Sequence, residues 1–249
     1  MRRLMIILLL LCSIGLLYAN PGHNLDSAKN MYLKGDYYEA QVIYQNLADS
    51  GYVAHELFYN LANCYFRNEQ YAQAIYYYEK SLQLKPRDES ALKNLDIANS
   101  RITDKISVLA PVFYVNWYRN VQQWFSSDAW AWGFVLLLGF SVASVVLYLL
   151  AARRSLKKTG FSLAAVFLIL SLISLHYSVV QRDAILHSND AIVFDDVMIK
   201  SSPSTDGNNL FEIHKGLKVS ITDTLNNWAE IRLPDGKQGW AESSALKKL

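Results

Sequence analysis

The sequence predicts a multi-domain chain: an α-helical repeat solenoid, then a two-helix transmembrane hairpin, then a small all-β barrel. Three observations predict it. Residues 20–107 contain a segment that resembles itself at an offset of 34 positions. Two uncharged stretches, within 129–152 and 159–181, are each long enough to cross a bilayer. Residues 185–249 break into short apolar alternations separated by turn clusters.

The first 19 residues read as a signal peptide. Arg2 and Arg3 form the charged start, Leu4 to Leu17 the apolar run, and Tyr18-Ala19 the expected cleavage point before polar Asn20-Pro21-Gly22-His23. The apolar run is shorter than the roughly 20 residues a spanning helix needs. Cys12 follows Leu10 and Leu11, where lipoprotein processing wants small residues, so lipidation is not expected. Loss of this leader leaves Cys64 as the one thiol and excludes an intramolecular disulfide. A net charge of +2 gives no reason to expect a nucleic-acid partner, whose binders carry a basic face or stripe.

In the helical region the 34-residue offset pairs Met31 with Tyr65, Tyr32 with Phe66, Tyr37 with Tyr71, Ala40 with Ala74, and Tyr44 with Tyr78. Each unit is a helix, a tight turn and a second helix whose small alanine permits close approach. The second unit closes on Ser81-Leu-Gln-Leu-Lys-Pro86, the proline ending the helix. A third first-helix pattern, Asp88-Glu-Ser-Ala-Leu-Lys-Asn-Leu-Asp-Ile-Ala98, has no partner and is expected to cap the stack.

Asn60-Leu61-Ala62-Asn63 with Tyr65, then Tyr71, Ala74, Tyr78 and Pro86, resembles the tetratricopeptide repeat family. Residues 21–54 form a weaker first repeat, with Tyr52 where proline usually stands. Two repeats and a cap fall below the usual minimum of three, so support is expected from tyrosine packing, from the following segment or from a partner. The resemblance implies a groove for an extended peptide, lined by Lys29, Tyr32, Tyr59, Asn60, Asn63, Arg67 and Asn94, the asparagine amides matched to a peptide backbone. The alternative is that these are ordinary exposed helix residues. Cys64 stands where a small packing residue is wanted.

Residues 110–127, aromatic and amphipathic after Pro111, suit either a strap lying in the outer membrane interface or a helix packed on the neighbouring module. Residues 129–152 and 159–181 lack a polar face, which argues for spanning and against a soluble core. Trp124, Trp130 and Trp132 sit where the first span leaves water. The loop 153–158 holds Arg153, Arg154, Lys157 and Lys158 with no acid, which marks it as cytoplasmic. Both flanking modules are then extracytoplasmic on an inner membrane, in agreement with the leader. His176, near the outer end of its span, is expected at the interface.

At the C-terminus, Ala191-Ile-Val-Phe, Met198-Ile-Lys, Leu217-Lys-Val-Ser-Ile and Trp228-Ala-Glu-Ile-Arg-Leu alternate as short strands, and Asp235-Gly236 is a hairpin signal. Many short strands in so little chain suggest a small barrel. Val197-Met-Ile-Lys-Ser-Ser-Pro, Leu210-Phe-Glu-Ile-His-Lys-Gly, Asn226-Asn-Trp and Asp235-Gly-Lys-Gln-Gly-Trp240 resemble a bacterial SH3-type domain. Such domains often bind cell-wall peptides, which makes Trp228 and Trp240 groove candidates; the alternative is that both are barrel core.

Leader, two tetratricopeptide repeats, paired spans and an SH3-type domain, with Ser126-Ser-Asp-Ala-Trp-Ala-Trp at the first span's entrance, resemble the BatE-like branch of the Bat aerotolerance family. The resemblance implies a cell-envelope complex with von Willebrand A-type partners and a link to oxidative-stress tolerance. It names no reaction. The sequence carries no GxSxG, HExxH, CxxC or phosphate-cradling glycine loop, and its five histidines are scattered. No enzyme, cofactor or metal is expected. Two functions follow: a membrane-anchored protein-interaction scaffold, or a peptidoglycan tether acting through the SH3-type domain. A third, a redox sensor, requires Cys64 to be exposed and of low pKa.

Overall fold

The structure, a computed structural model, describes residues 21–106 and 112–249. The expected signal peptide with Cys12, and Pro111 at the start of the amphipathic segment, lie outside the described residues.

Five helices build the repeat module: α1 (Pro21–Lys34), α2 (Tyr37–Asp49), α3 (His55–Arg67), α4 (Tyr71–Leu84) and α5 (Glu89–Asn99). The 34-residue offset is visible in the turns themselves. Gly35 ends α1 at φ 91°, and Glu69, its equivalent 34 positions on, ends α3 at φ 60°. The same closing hydrogen bonds follow, Asp36 N–H to Met31 O at 3.0 Å and Gln70 N–H to Tyr65 O at 2.9 Å. Glycine adopts this left-handed helix end freely, whereas Glu69 does so at a steric cost the surrounding repeat must offset. Asp88 caps α5, its side chain accepting from Ala91 N–H at 2.9 Å.

Between these helices the apolar positions meet. Leu57, Leu61, Ile75, Ala40 and Ala74 are fully enclosed, with Tyr44 and Tyr78 at 1% exposure. Each large aliphatic among them contributes about 1.5–3 kcal/mol by burial. The tyrosine hydroxyls find partners inside: Tyr65 and Tyr77 stack at 5.4 Å and both donate to Gln45 Oε1, at 2.8 and 2.9 Å.

A short helix α6 (Phe113–Gln122) leads into a hairpin of α7 (Ser127–Leu150) and α8 (Arg154–Leu186). Both hairpin helices are long and apolar enough to cross a membrane. Outward-facing Leu136, Leu149 and Phe161 are 60–65% exposed, so the apolar surface is turned away from the protein. The contact face is instead a seam of small residues. Ser141 Oγ donates to Ala164 O at 3.0 Å, Ser174 Oγ to Trp130 O at 2.7 Å, and Ser127 and Ser178 exchange hydrogen bonds at 3.2 and 3.0 Å. His176 Nε2 sits 2.9 Å from the Tyr118 hydroxyl, which ties α6 to α8.

The expected six-residue loop 153–158 is not a loop. Residues 151–153 alone make the turn, and Arg154, Lys157 and Lys158 lie within the first two turns of α8. Lysine and arginine are good helix formers, so a basic cluster need not interrupt the backbone. At the other end α8 runs to Leu186, past the expected end of the span at residue 181.

Seven antiparallel strands follow: β1 (Asp190–Val193), β2 (Val197–Lys200), β3 (Asn209–Ile213), β4 (Lys218–Leu225), β5 (Trp228–Arg232), β6 (Gln238–Glu242) and β7 (Leu246–Lys248). Their order in the sheet is β3-β2-β6-β5-β4-β1-β7. Val193, Ile199, Ile213, Val219, Ile231 and Ala241 gather into one core. The barrel-core alternative for the tryptophans does not hold. Ala229 and Ile231 of β5 and Gly239 and Ala241 of β6 point inward, so strand alternation puts Trp228 and Trp240 on the outer face.

The β module does not hang free of the repeats. Ile192 belongs to the repeat core, and Phe194, Ile102 and Leu249 pack against it. The two-repeat stack is thus supported by this chain's own C-terminal domain, a source the sequence did not suggest.

Candidate functional site

The first helices of successive repeats face one way, which brings Tyr32 of α1, Asn63 and Arg67 of α3, and Asn94 of α5 around a single cavity of about 230 Å³. Tyr78 of α4 forms its floor, and Phe66 and Ile97 complete the wall. A hydrogen-bonded chain crosses it. Tyr78 donates to Asn63 Oδ1 at 2.6 Å, while Asn94 Nδ2 donates to the same oxygen at 3.0 Å and to the Tyr59 hydroxyl at 3.2 Å. The Asn63 carbonyl is thus saturated, and its amide N–H donors have no protein partner among the described residues. Burial pushes the Tyr78 hydroxyl well above the ordinary phenol range, so at neutral pH it stays a fixed donor.

Arg67 stands exposed at the rim, its guanidinium 5.5 Å from the centre of the Tyr37 ring. The cavity therefore combines a cationic rim, amide donors and an aromatic floor. It is smaller than the roughly 300–1,000 Å³ of small-molecule sites, and its size suits one residue of an extended chain.

Four of the seven groove candidates, Tyr32, Asn63, Arg67 and Asn94, line the cavity, and Tyr59 touches it through Asn94. Asn60 lies half-buried beside the Tyr44 hydroxyl, and Lys29 is an exposed residue away from the cavity. Tyr78, Phe66 and Ile97 were not among the candidates. Ile97 was within reach of sequence reasoning: it lies one turn after Asn94 on the same helix face.

On the β module, Trp228 lines a shallow cavity of about 320 Å³ with Asp195, Asp196, Lys200 and Glu242. Trp240 does not line it. Trp240 stands on the same outer face, in register with Glu230 on one side and Lys200 on the other. The structure thus separates the two tryptophans, giving Trp228 a concave setting and Trp240 a flat one.

Cys64 is fully enclosed in the repeat core, and burial pushes its thiol up to about 12. This is opposite to the exposed, acidic thiol that a redox sensor needs. Iodoacetamide at neutral pH is expected to leave Cys64 unmodified in the folded chain and to label it once denaturant is added. Rapid labelling of the native protein, read by mass spectrometry, would restore the redox reading.

The tetratricopeptide repeat family model matches residues 55–88, which span α3, α4 and the turn into α5. The bacterial SH3 domain model matches residues 195–247, which cover β2 to β6 and reach into β7. No curated protein matches the sequence. Both modules are similar to families of binding domains, the first suggesting protein–protein interaction and the second cell-wall binding.

Proposed function

We propose that the chain is a membrane-anchored, non-catalytic scaffold whose repeat groove holds an extended segment of a protein partner. The observation that carries this reading is the cavity bounded by Tyr32, Asn63, Arg67 and Asn94, where the uncommitted Asn63 amide and the exposed Arg67 cation stand over the Tyr78 floor. The α7–α8 hairpin is the anchor. Arg153, Arg154, Lys157 and Lys158 cluster at its turn, which favours that turn in the cytoplasm and both modules outside it. The order of modules supports placement in a Bat-type envelope complex, with von Willebrand A-type proteins as partners and aerotolerance as the process served.

The test is photo-crosslinking in living cells from a reactive residue placed at Asn63, with mass spectrometry of the adducts. The expected result is a discrete adduct to an envelope or membrane protein, weakened several-fold when Arg67 is replaced by alanine. Adducts confined to this chain would remove the partner groove, and an adduct to a cytosolic protein would overturn the sidedness.

The second reading, a peptidoglycan tether, is favoured by the cavity beside Trp228. It requires the full-length protein to sediment with purified sacculi and Trp228→Ala to abolish that sedimentation.

A further inference from the structure

Helix α4 serves two neighbours. Tyr78 points into the groove, while Ile75, Tyr76 and Glu79 meet the β module. Contacts of different chemistry make this junction, among them Lys247 Nζ over the Tyr76 ring at 4.7 Å. Tyr76 meets Phe194 edge-on with ring centres 5.7 Å apart. Lys218 Nζ reaches Glu79 Oε2 at 2.8 Å and Asp190 Oδ2 at 3.3 Å, so one ammonium bridges the two modules. Gly216 lies so close to Ile102 that a side chain there would collide with it. Finally, Asp104 clasps His214 twice, its Oδ2 accepting from the backbone N–H at 2.7 Å and its Oδ1 lying 2.9 Å from Nδ1.

Carboxylates dominate the surroundings of His214. Besides Asp104, from the segment after α5, the ring feels Asp196 in the β1–β2 turn and Glu212 on β3. Asp196 is held in place by the Lys215 backbone N–H at 2.9 Å. The neighbouring cations are Lys215, next in the chain, and Lys105, beside Asp104 on the interdomain cleft.

We propose that docking of the β module onto the repeats is tuned by pH through the His214–Asp104 clasp: the protonated ring holds the modules together, and loss of that proton lets the β module move away on α8. The hydrogen bond that the His214 ring donates to Asp104, outweighing the cost of burial, raises the pKa of His214 above its ordinary 6.5. A raised pKa sets the direction. The added stabilisation is complete below the ordinary value and is lost as pH rises through the raised one. Docking therefore tightens in mildly acidic surroundings and loosens in alkaline ones. Histidine is the side chain whose charge changes in this range.

The inference is independent of what the groove binds. Its test uses the full-length chain in lipid nanodiscs, with Cys12→Ser and spin labels on cysteines placed at Glu39 and Thr224, both exposed. Distance distributions are compared at about pH 6 and about pH 9, on either side of the histidine range. The expected result is a short distance that dominates at the lower pH and a longer population that grows at the higher, with the docked-to-undocked ratio changing roughly two- to fivefold, as a partly exposed ion pair allows. His214→Gln and Asp104→Asn should each remove the pH step. Ile102→Arg should open the junction at both pH values. The proposal is overturned if the native distribution is the same at both, if the step survives in His214→Gln, or if Ile102→Arg leaves the short distance in place.

Discussion

Tyr78→Ala is expected to destabilise the repeat module severely. Tyr78 is the most enclosed aromatic that also serves the groove, at 1% exposure on α4. Truncating a buried aromatic to alanine costs about 3–5 kcal/mol, a large part of the roughly 5–15 kcal/mol that holds a domain together. A second loss accompanies the cavity, since Asn63 Oδ1 loses its shortest donor, at 2.6 Å. Tyr78→Phe separates the two. It keeps the ring, leaves Asn94 as the remaining donor to Asn63, and should cost about 1–2 kcal/mol with the fold intact. Thermal melts followed by circular dichroism, with hydrogen exchange of α3 and α4 amides, measure both. A Tyr78→Ala protein within about 1 kcal/mol of the parent would mean that the repeats do not depend on this core.

The groove was legible in the sequence because a period carries geometry. Asn60 and Asn94 stand 34 positions apart, as do Asn63 and Ile97, so a register found in the aromatics also places the groove side chains. Gly35 and Glu69 show how far that register extends, since the backbone turns at both points although only one is glycine. The tryptophans of the β module show where resemblance misleads. Alternation along Trp228-Ala-Glu-Ile-Arg232 and Gln238-Gly-Trp-Ala-Glu242 puts the small residues and Ile231 inward. The core alternative came with the resemblance to the SH3-type pattern and not from this alternation.

The docking of the modules was not legible at all. His214 and Asp104 are 110 residues apart, Lys218 and Glu79 139 apart, and no local pattern links such pairs. Ile192 has the appearance of a barrel-strand residue and yet completes the repeat core. A two-repeat stack lacking a third layer did announce that something must cover it, though not what. The support falls instead on the side of the second repeat, where Ile75, Tyr76 and Glu79 of α4 meet the β module.

Gly160→Leu is expected to separate the hairpin helices. A Cβ at residue 160 would stand 2.9 Å from Tyr148 N, 3.0 Å from Ser144 O and 3.1 Å from Tyr148 Cα. All three are backbone atoms of α7, so no side-chain rotation relieves the contact and the helices must move apart. Overpacking of this kind costs about 1–3 kcal/mol. Here it also lengthens the Ser141–Ala164 hydrogen bond about one turn deeper in the seam, now 3.0 Å. Even Gly160→Ala should weaken the pair, because the offending atom is the first of the side chain. Gly139 provides the contrast, with nothing within 4 Å of an added Cβ, so Gly139→Ala should be silent. Disulfide crosslinking between cysteines introduced at Ser141 and Ala164 in nanodiscs reads the separation directly. Loss of the crosslink in Gly160→Leu and its retention in Gly139→Ala is the expected outcome. Equal yields in both would show that the small-residue seam does not set the approach of α7 and α8, and that the turn at 151–153 alone holds the hairpin closed.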